Sequence, residues 1–258
     1  MRYPLHIVCH IIFWTALTLP AAAGEFITIT TPSPPYSVSQ CLRVKGISVT
    51  VLSELMKMTG IPFNPKKVRL LPWARAFQEA ETKSHRILLN IPRSPRLENS
   101  FKWVGPLTKR RFVVIAKKGT ALTIDTLADA TKYKIATIRD SGPEKVLVSK
   151  GADKSKIQQN TTHVQALRGL DANAVELFAH SDLATAYFMT GLGLNPKNYR
   201  IVNTYFEEEI YYAFSKDTDD TKISKLNQAL NTIKTPSANG ISRFEEIVAE
   251  YLPNGKLE

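Results

Sequence analysis

Short apolar segments alternate along this chain with segments whose apolar residues repeat at helical spacing, and this alternation constrains the fold most. Three predicted strands are residues 26–30, 86–91 and 134–139. One predicted helix follows Pro72 and carries an apolar face made of Trp73, Ala76, Phe77 and Ala80. Strands that alternate with helices build parallel sheets, so the sequence predicts an α/β fold.

The most economical packing of these elements is a pair of lobes joined by two crossing strands. Separate strands are predicted at residues 111–117, 200–205 and 210–215. The chain leaves the first lobe near Arg111 and returns near Glu208, so the crossings form a hinge. The predicted units are lobe 1, residues 24–111 with 208–258, and lobe 2, residues 112–207.

The N-terminus has the pattern of a cleavable secretory signal. Arg2 precedes an apolar run over residues 7–19, and Ala21 to Ala23 form an A-x-A pattern before Gly24. The run is shorter than the ~20 residues that a transmembrane helix needs. We expect residues 1–23 to be a signal peptide and the mature protein to be periplasmic; an uncleaved anchor or a buried helix is the alternative.

The chain is basic, with 34 lysines and arginines against 23 acidic residues and a net charge of +11. Such a balance suits nucleic acid, an anionic membrane or an acidic solute. Its densest basic cluster, Lys109 to Arg111, is too short for a nucleic-acid tract. We therefore expect a solvated basic surface and no nucleic-acid partner. Glu207 to Glu209, at the return crossing, are also predicted to be solvated.

The sequence offers no recognisable catalytic or metal motif. His85, His163 and His180 show no ligand spacing, and no G-x-S-x-G elbow or P-loop occurs. After signal cleavage Cys41 is the one remaining cysteine, so it has no intramolecular disulfide partner and no obvious partner base. We expect no metal, no cofactor and no enzymatic activity.

Four segments, in this order and spacing, carry a resemblance to a known family. They are Pro34 to Tyr36 with residues 46–52, then residues 71–76, residues 91–106 and residues 138–144. The chain resembles family 3 extracellular solute-binding proteins, as a divergent branch. This resemblance implies a two-lobed type II periplasmic binding fold with two crossover hinge strands.

The same resemblance implies a function. The protein would be a monomer that captures a small amino-acid-like or carboxylate solute between its lobes for an ABC permease in the inner membrane. Two alternatives stay open. One is an orphan or sensory receptor that signals to a membrane partner. The other is an enzyme on this fold, a dehydratase or the binding lobe of a lytic enzyme, with Glu98 as the candidate acid.

In lobe 1 the resemblance matches Arg96 to the arginine that clamps the ligand carboxylate, and Arg93 is placed to share that role. A planar guanidinium fits a carboxylate with paired donors. Surface salt bridges are the alternative role for both arginines. Tyr36 and Trp73 are candidates to stack on the ligand, although the position of Trp73 on an apolar face also favours core packing.

In lobe 2, Ser141 and Gly142 match the small residues that open a helix at the cleft. Free N–H groups there bind anions, although Ser141 also suits an ordinary N-cap. Asp182 lies near the family's carboxylate for the ligand amine, but Ser181 competes for that position. Asp182 is also a natural helix cap.

Overall fold

The computed structural model describes residues 25–257 of the 258-residue chain. The predicted signal peptide at residues 1–23 lies outside the described residues. Within the described range, no helix has both the length and the apolar character needed to cross a bilayer.

The described chain contains ten strands and eight α-helices, which alternate over most of its length. The strands are β1 (Ile27–Thr30), β2 (Val38–Gln40), β3 (Arg43–Lys45), β4 (Arg69–Leu70), β5 (Arg86–Pro92), β6 (Phe101–Lys117), β7 (Ile135–Ile138), β8 (Ile157–Asn160), β9 (Leu177–Ser181) and β10 (Tyr199–Ser215). The helices are α1 (Ile47–Thr59), α2 (Trp73–Thr82), α3 (Leu127–Ala130), α4 (Gly142–Ser149), α5 (His163–Asp171), α6 (Asp182–Gly191), α7 (Asp220–Lys234) and α8 (Arg243–Tyr251).

Eight strands form a mixed sheet in the order β4-β1-β5-β10-β6-β9-β7-β8, and β2 with β3 forms a separate hairpin. Around β1 and around β7 the pairing is parallel, whereas β6 and β10 run antiparallel to each other. Each of these two strands is 17 residues long and passes from one half of the sheet to the other. β10 pairs with β5 on one side, and β6 pairs with β9 on the other.

The separate strands predicted at residues 111–117, 200–205 and 210–215 are therefore parts of β6 and β10. The charged residues at the crossings lie within the two long strands and do not interrupt them. The backbone ladder continues through them, because ladder hydrogen bonds do not depend on side-chain polarity. Glu207, Glu208 and Glu209 lie opposite Arg111, Arg110 and Lys109, so opposite charges face each other across the ladder.

Helices cover both faces of the sheet, as expected for parallel strands. One large core cluster includes the buried face of α1, with Leu52 and Leu55 fully buried, and extends into the second half of the chain around Phe178. A second cluster lies under α2 and a third under α4. The predicted lobe boundaries remain a prediction.

The apolar face of α2 is less buried than its spacing suggested. Ala76 and Ala80 are buried, but Trp73 is 52% exposed and packs on Phe77 with ring centroids 5.7 Å apart. Core packing of Trp73 was therefore a wrong expectation. Trp73 is the first residue of the helix, where only part of the indole reaches the neighbouring turn.

Candidate ligand-binding cleft

A cavity of about 340 Å³ lies between segments from both halves of the molecule. Its lining residues are Pro32, Ser33, Pro34, Tyr36, Arg110, Phe112, Ile138, Ser141, Gly142, Pro143, His163, His180, Ser181 and Ala184. A second cavity of about 440 Å³ lies beside β3 and α1 and contains none of the predicted site residues. We call the first cavity the cleft.

The lobe 1 wall of the cleft is the loop between β1 and β2, which carries Tyr36. Ser33 and Ser37 exchange two backbone hydrogen bonds of 2.9 Å, and this exchange closes the loop. The buried Asn90 amide donates to Ser37 Oγ at 2.9 Å. The first N–H groups of α1 donate to the carbonyls of Pro35 and Tyr36 at 3.1 Å each. The loop is thus held by the sheet and by a helix N-terminus.

Gly46 makes this packing possible. It has φ 132°, and a Cβ there would lie 2.3 Å from the Tyr36 carbonyl oxygen. Any side chain at this position would push the Tyr36 loop away from α1. The glycine before the predicted helix therefore positions a cleft residue.

The opening of α4 forms part of the lobe 2 wall. Ser141 is its N-cap, and Ser141 Oγ accepts from the Glu144 N–H at 3.2 Å. Pro143 has no N–H to donate, and its carbonyl accepts from the Tyr205 hydroxyl at 3.1 Å. Among the first three residues of α4, Gly142 is therefore the one whose N–H is neither bonded to the Ser141 cap nor missing, as it is in proline. The predicted anion site therefore has fewer free N–H donors than an uncapped helix N-terminus.

Arg110 contributes the guanidinium group that lines the cleft. It is held by Glu208 on the facing strand, with Arg110 Nε 2.7 Å from the carboxylate and a second, shorter contact through Nη2. The side chain of Glu208 is only 16% exposed, so the expectation that this glutamate is solvated was wrong. Arg110 also lies over the Phe112 ring at 5.6 Å.

Asp182 lies at the start of α6 with its side chain 6% exposed. Arg111 Nε donates to one carboxylate oxygen at 2.8 Å, and the Leu183 N–H donates to the other at 2.7 Å. Ser181 is the N-cap residue but makes no side-chain cap bond. Ser181 lines the cleft, whereas Asp182 is not among the lining residues and forms an ion pair with Arg111.

Two histidines meet on the lobe 2 wall. His163 opens α5 and His180 lies near the end of β9, and their Nε2 atoms are 3.3 Å apart. His163 stacks on Phe188, with ring centroids 3.9 Å apart. Burial lowers the pKa of His163 to about 4. Burial, with smaller contributions from His163 and Arg110, lowers the pKa of His180 to about 3, so both imidazoles are neutral.

Three cleft residues carry buried polar atoms that find no hydrogen-bond partner among the described residues. They are the Tyr36 hydroxyl, Ser181 Oγ and His180 Nδ1, in side chains that are 1%, 5% and 8% exposed. Burial, and then nearby Asp182, raises the pKa of Tyr36, so its hydroxyl stays protonated. Unpaired buried polar groups are costly, at about 1–3 kcal/mol each. Their concentration around one cavity indicates a place for a polar solute or ordered water.

The structure brings together Tyr36, Ser141 and Gly142, and it leaves the other lobe 1 candidates outside the lining. Arg93 is exposed and forms a bidentate ion pair with Glu98. Arg96 is also exposed and does not line the cleft. Trp73 is likewise absent from the cleft lining.

Sequence reasoning missed Arg110, His163 and His180 as cleft residues. The two histidines are 17 positions apart and meet only through packing of a helix start against a strand end. Arg110 had a usable signal, since it lies one residue before the strand predicted at 111–117, and two-residue spacing places it on the same face as Phe112.

Neither a family model nor a curated protein sequence matches the chain. Solved structures do match. An ancestral cationic amino-acid solute-binding protein is 15% identical, with a TM-score of 0.70 over 88% of this chain and 95% of that one. A polar amino-acid ABC uptake transporter substrate-binding protein from Streptococcus thermophilus is 18% identical, with a TM-score of 0.69 over 89% and 86%.

A further similar structure is a histidine kinase sensor domain with similarity to periplasmic binding proteins. It is 20% identical, with a TM-score of 0.62 over 90% of this chain and 97% of that one. These similarities cover nearly all of the described residues, and at such identities they establish the fold alone. The chain therefore has the two-lobed type II periplasmic binding fold that its resemblance to family 3 extracellular solute-binding proteins predicted.

Proposed function

We propose that the protein is a periplasmic solute-binding protein that captures a small polar solute in the cleft and catalyses no reaction. The observation that carries this proposal is a cavity shared by both halves of the fold, with buried and unpartnered polar atoms on each side. A solute that satisfies Tyr36 from one side and Ser181 from the other favours the state in which both reach it.

The surrounding charges are already paired within the protein. Arg110 is held by Glu208, and Asp182 by Arg111, so the cleft presents hydroxyl and imidazole groups beside balanced ion pairs. The Gly142 N–H and Ser141 are placed to contact a negative or carbonyl group of the solute. Asp182 would orient a solute amine only if Arg111 released it. These roles are part of the proposal.

Delivery to an ABC permease is the favoured outcome of binding, since several similar structures are substrate-binding proteins of amino-acid transporters. The sensor-domain structure supports the second candidate, a receptor that signals solute binding to a membrane partner. Uptake of the identified solute by cells with and without the gene separates the two. Lost uptake supports transport, and unchanged uptake supports sensing.

Solute binding is tested by a thermal-shift screen of amino acids, small organic acids and short peptides. A ligand that binds only the folded state raises the melting temperature by mass action. For any hit we expect Tyr36→Phe and Ser181→Ala each to weaken binding by about 3- to 10-fold, the effect of one hydrogen bond.

Two matched controls come from residues outside the cleft lining: Tyr187→Phe on α6 and Ser149→Ala on α4. Both should keep wild-type affinity. If the cleft variants bind as tightly as the controls, the solute binds elsewhere and the proposed site is wrong. Turnover of any screened compound would instead favour the enzyme alternative.

A further inference from the structure

The two cleft histidines have a spacing that suits a metal ion. Zn²⁺ binds imidazole nitrogens at about 2.0–2.1 Å, and tetrahedral angles then separate two such nitrogens by about 3.3 Å. The Nε2 atoms of His163 and His180 are 3.3 Å apart. Imidazole suits zinc, copper and nickel, whereas magnesium and calcium prefer oxygen ligands.

The protein supplies only part of a coordination sphere. Among residues 25–257, no group of three or more histidine, cysteine, aspartate or glutamate side chains is placed to hold a metal ion. Both histidines line the cleft, so a solute in the cavity is the candidate source of the remaining ligands. Tyr36 and Ser181, whose buried hydroxyls have no hydrogen-bond partner among the described residues, line the same cavity and are the candidates to bind oxygens of a chelating solute once it enters.

The electrostatic surroundings allow a divalent cation. Arg110 is the positively charged side chain that acts on His180, and it forms an ion pair with Glu208. Arg111 is likewise paired with Asp182.

We propose that His163 and His180 bind a divalent transition metal such as Zn²⁺ or Ni²⁺ in the cleft, and that the captured solute is a chelate of that metal. The solute, an amino acid or another small molecule with nitrogen or oxygen donors, completes the coordination. This inference rests on the proposed function for the chelate, although the two-histidine site stands without it.

Titration calorimetry of the tag-free protein with Zn²⁺ or Ni²⁺ alone, and with Zn²⁺ premixed with glycine, tests the proposal. We expect one metal per chain in wild type at this site, and an affinity at least about tenfold lower in His163→Gln and in His180→Gln. His85→Gln is the matched control, because His85 is exposed and its partner is Asp217. It should bind like wild type.

The visible spectrum of wild-type protein with Co²⁺ gives a readout that does not depend on how well the variants fold. Tetrahedral nitrogen coordination gives intense visible bands, and these should be absent in the double variant. A spectrum of hexaaquo cobalt in wild type, or unchanged zinc affinity in both single variants, would overturn the metal site and leave an imidazole–imidazole hydrogen bond in its place.

A solute screen in the presence of EDTA separates this inference from the proposed function. A solute that binds tightly without metal, together with no metal binding, would refute the chelate and keep the binding-protein role. Metal binding at the histidines without stabilisation by any chelate would confirm the metal site and refute chelate capture.

Discussion

The charged residues of the loop after β5 and the polar residues around the cleft lie in different surroundings. Arg93 and its partner Glu98 are 41% and 44% exposed, so water solvates both charges. Asp182, by contrast, is 6% exposed and depends on Arg111. Around the cleft, the buried side-chain hydroxyls of Tyr36 and Ser181 have no hydrogen-bond partner among the described residues. The comparison teaches that a favourable residue type does not by itself mark the site, because burial and charge pairing differ between the two regions.

The largest expected difference is between the two ion pairs. Arg111→Met should lower the free energy of unfolding by about 3 kcal/mol, because it leaves a buried carboxylate unpaired. This is the low end of the usual range, since the Arg111 side chain is itself 36% exposed. Arg93→Met should change stability little, because exposed pairs contribute little. Urea denaturation measures both, and equal losses would break the comparison.

The pH dependence of stability should come from the cleft histidines. Unfolded histidines bind a proton near pH 6.5, whereas folded His163 and His180 stay neutral down to about 4 and 3. The unfolded state therefore binds more protons in this window, and the free energy of unfolding falls as the pH drops from 6.5 towards 4.

Denaturation at several pH values between 7 and 4 measures this dependence. The double variant His163→Gln/His180→Gln should show a shallower decline than wild type. His85→Gln, which removes an exposed histidine of lobe 1, should keep the wild-type slope. An unchanged slope in the double variant would show that other groups cause the acid sensitivity.

A difference of similar size separates two tryptophans, Trp73 and Trp103. Trp73→Ala should cost about 1 kcal/mol of stability, because half of the side chain is already in water. Trp103→Ala should cost about 3–5 kcal/mol, because Trp103 is 8% exposed and packs between Phe101 and Tyr211. Similar losses in the two variants would mean that Trp73 is buried in solution.

The smallest expected effect concerns Arg96. Because it is exposed and outside the cleft lining, Arg96→Ala should leave the stabilisation by any bound solute unchanged. Thermal shift of wild type and variant with the same solute measures this. A large loss of stabilisation in the variant would restore the predicted carboxylate clamp, with Arg96 reaching the solute only in a more closed form.

Local features of the site could be predicted from the sequence because they depend on neighbouring residues. Ser141 opens a helix because its hydroxyl accepts an N–H three residues later. The helix predicted after Pro72 begins at Trp73, the first residue of its apolar repeat. The hinge strands were predicted shorter than they are, since β6 and β10 each span 17 residues.

Residues that meet across the fold could not be predicted in this way. Arg96 was matched to the carboxylate clamp through the family resemblance, which follows sequence order, whereas the cleft lining follows strand pairing and includes Arg110. Ser181 lies opposite Phe112 only through the register of β9 on β6, and a slip of one residue would reverse every side chain.

By itself the sequence determined the α/β class, the order of the elements and the family resemblance, since these follow from periodicity and from short-range hydrogen bonding. Tertiary structure alone decided which polar groups face the cleft, which charges are paired and that His163 meets His180. The physical reason is that burial and pairing are set by packing between segments distant in sequence, which no local pattern encodes.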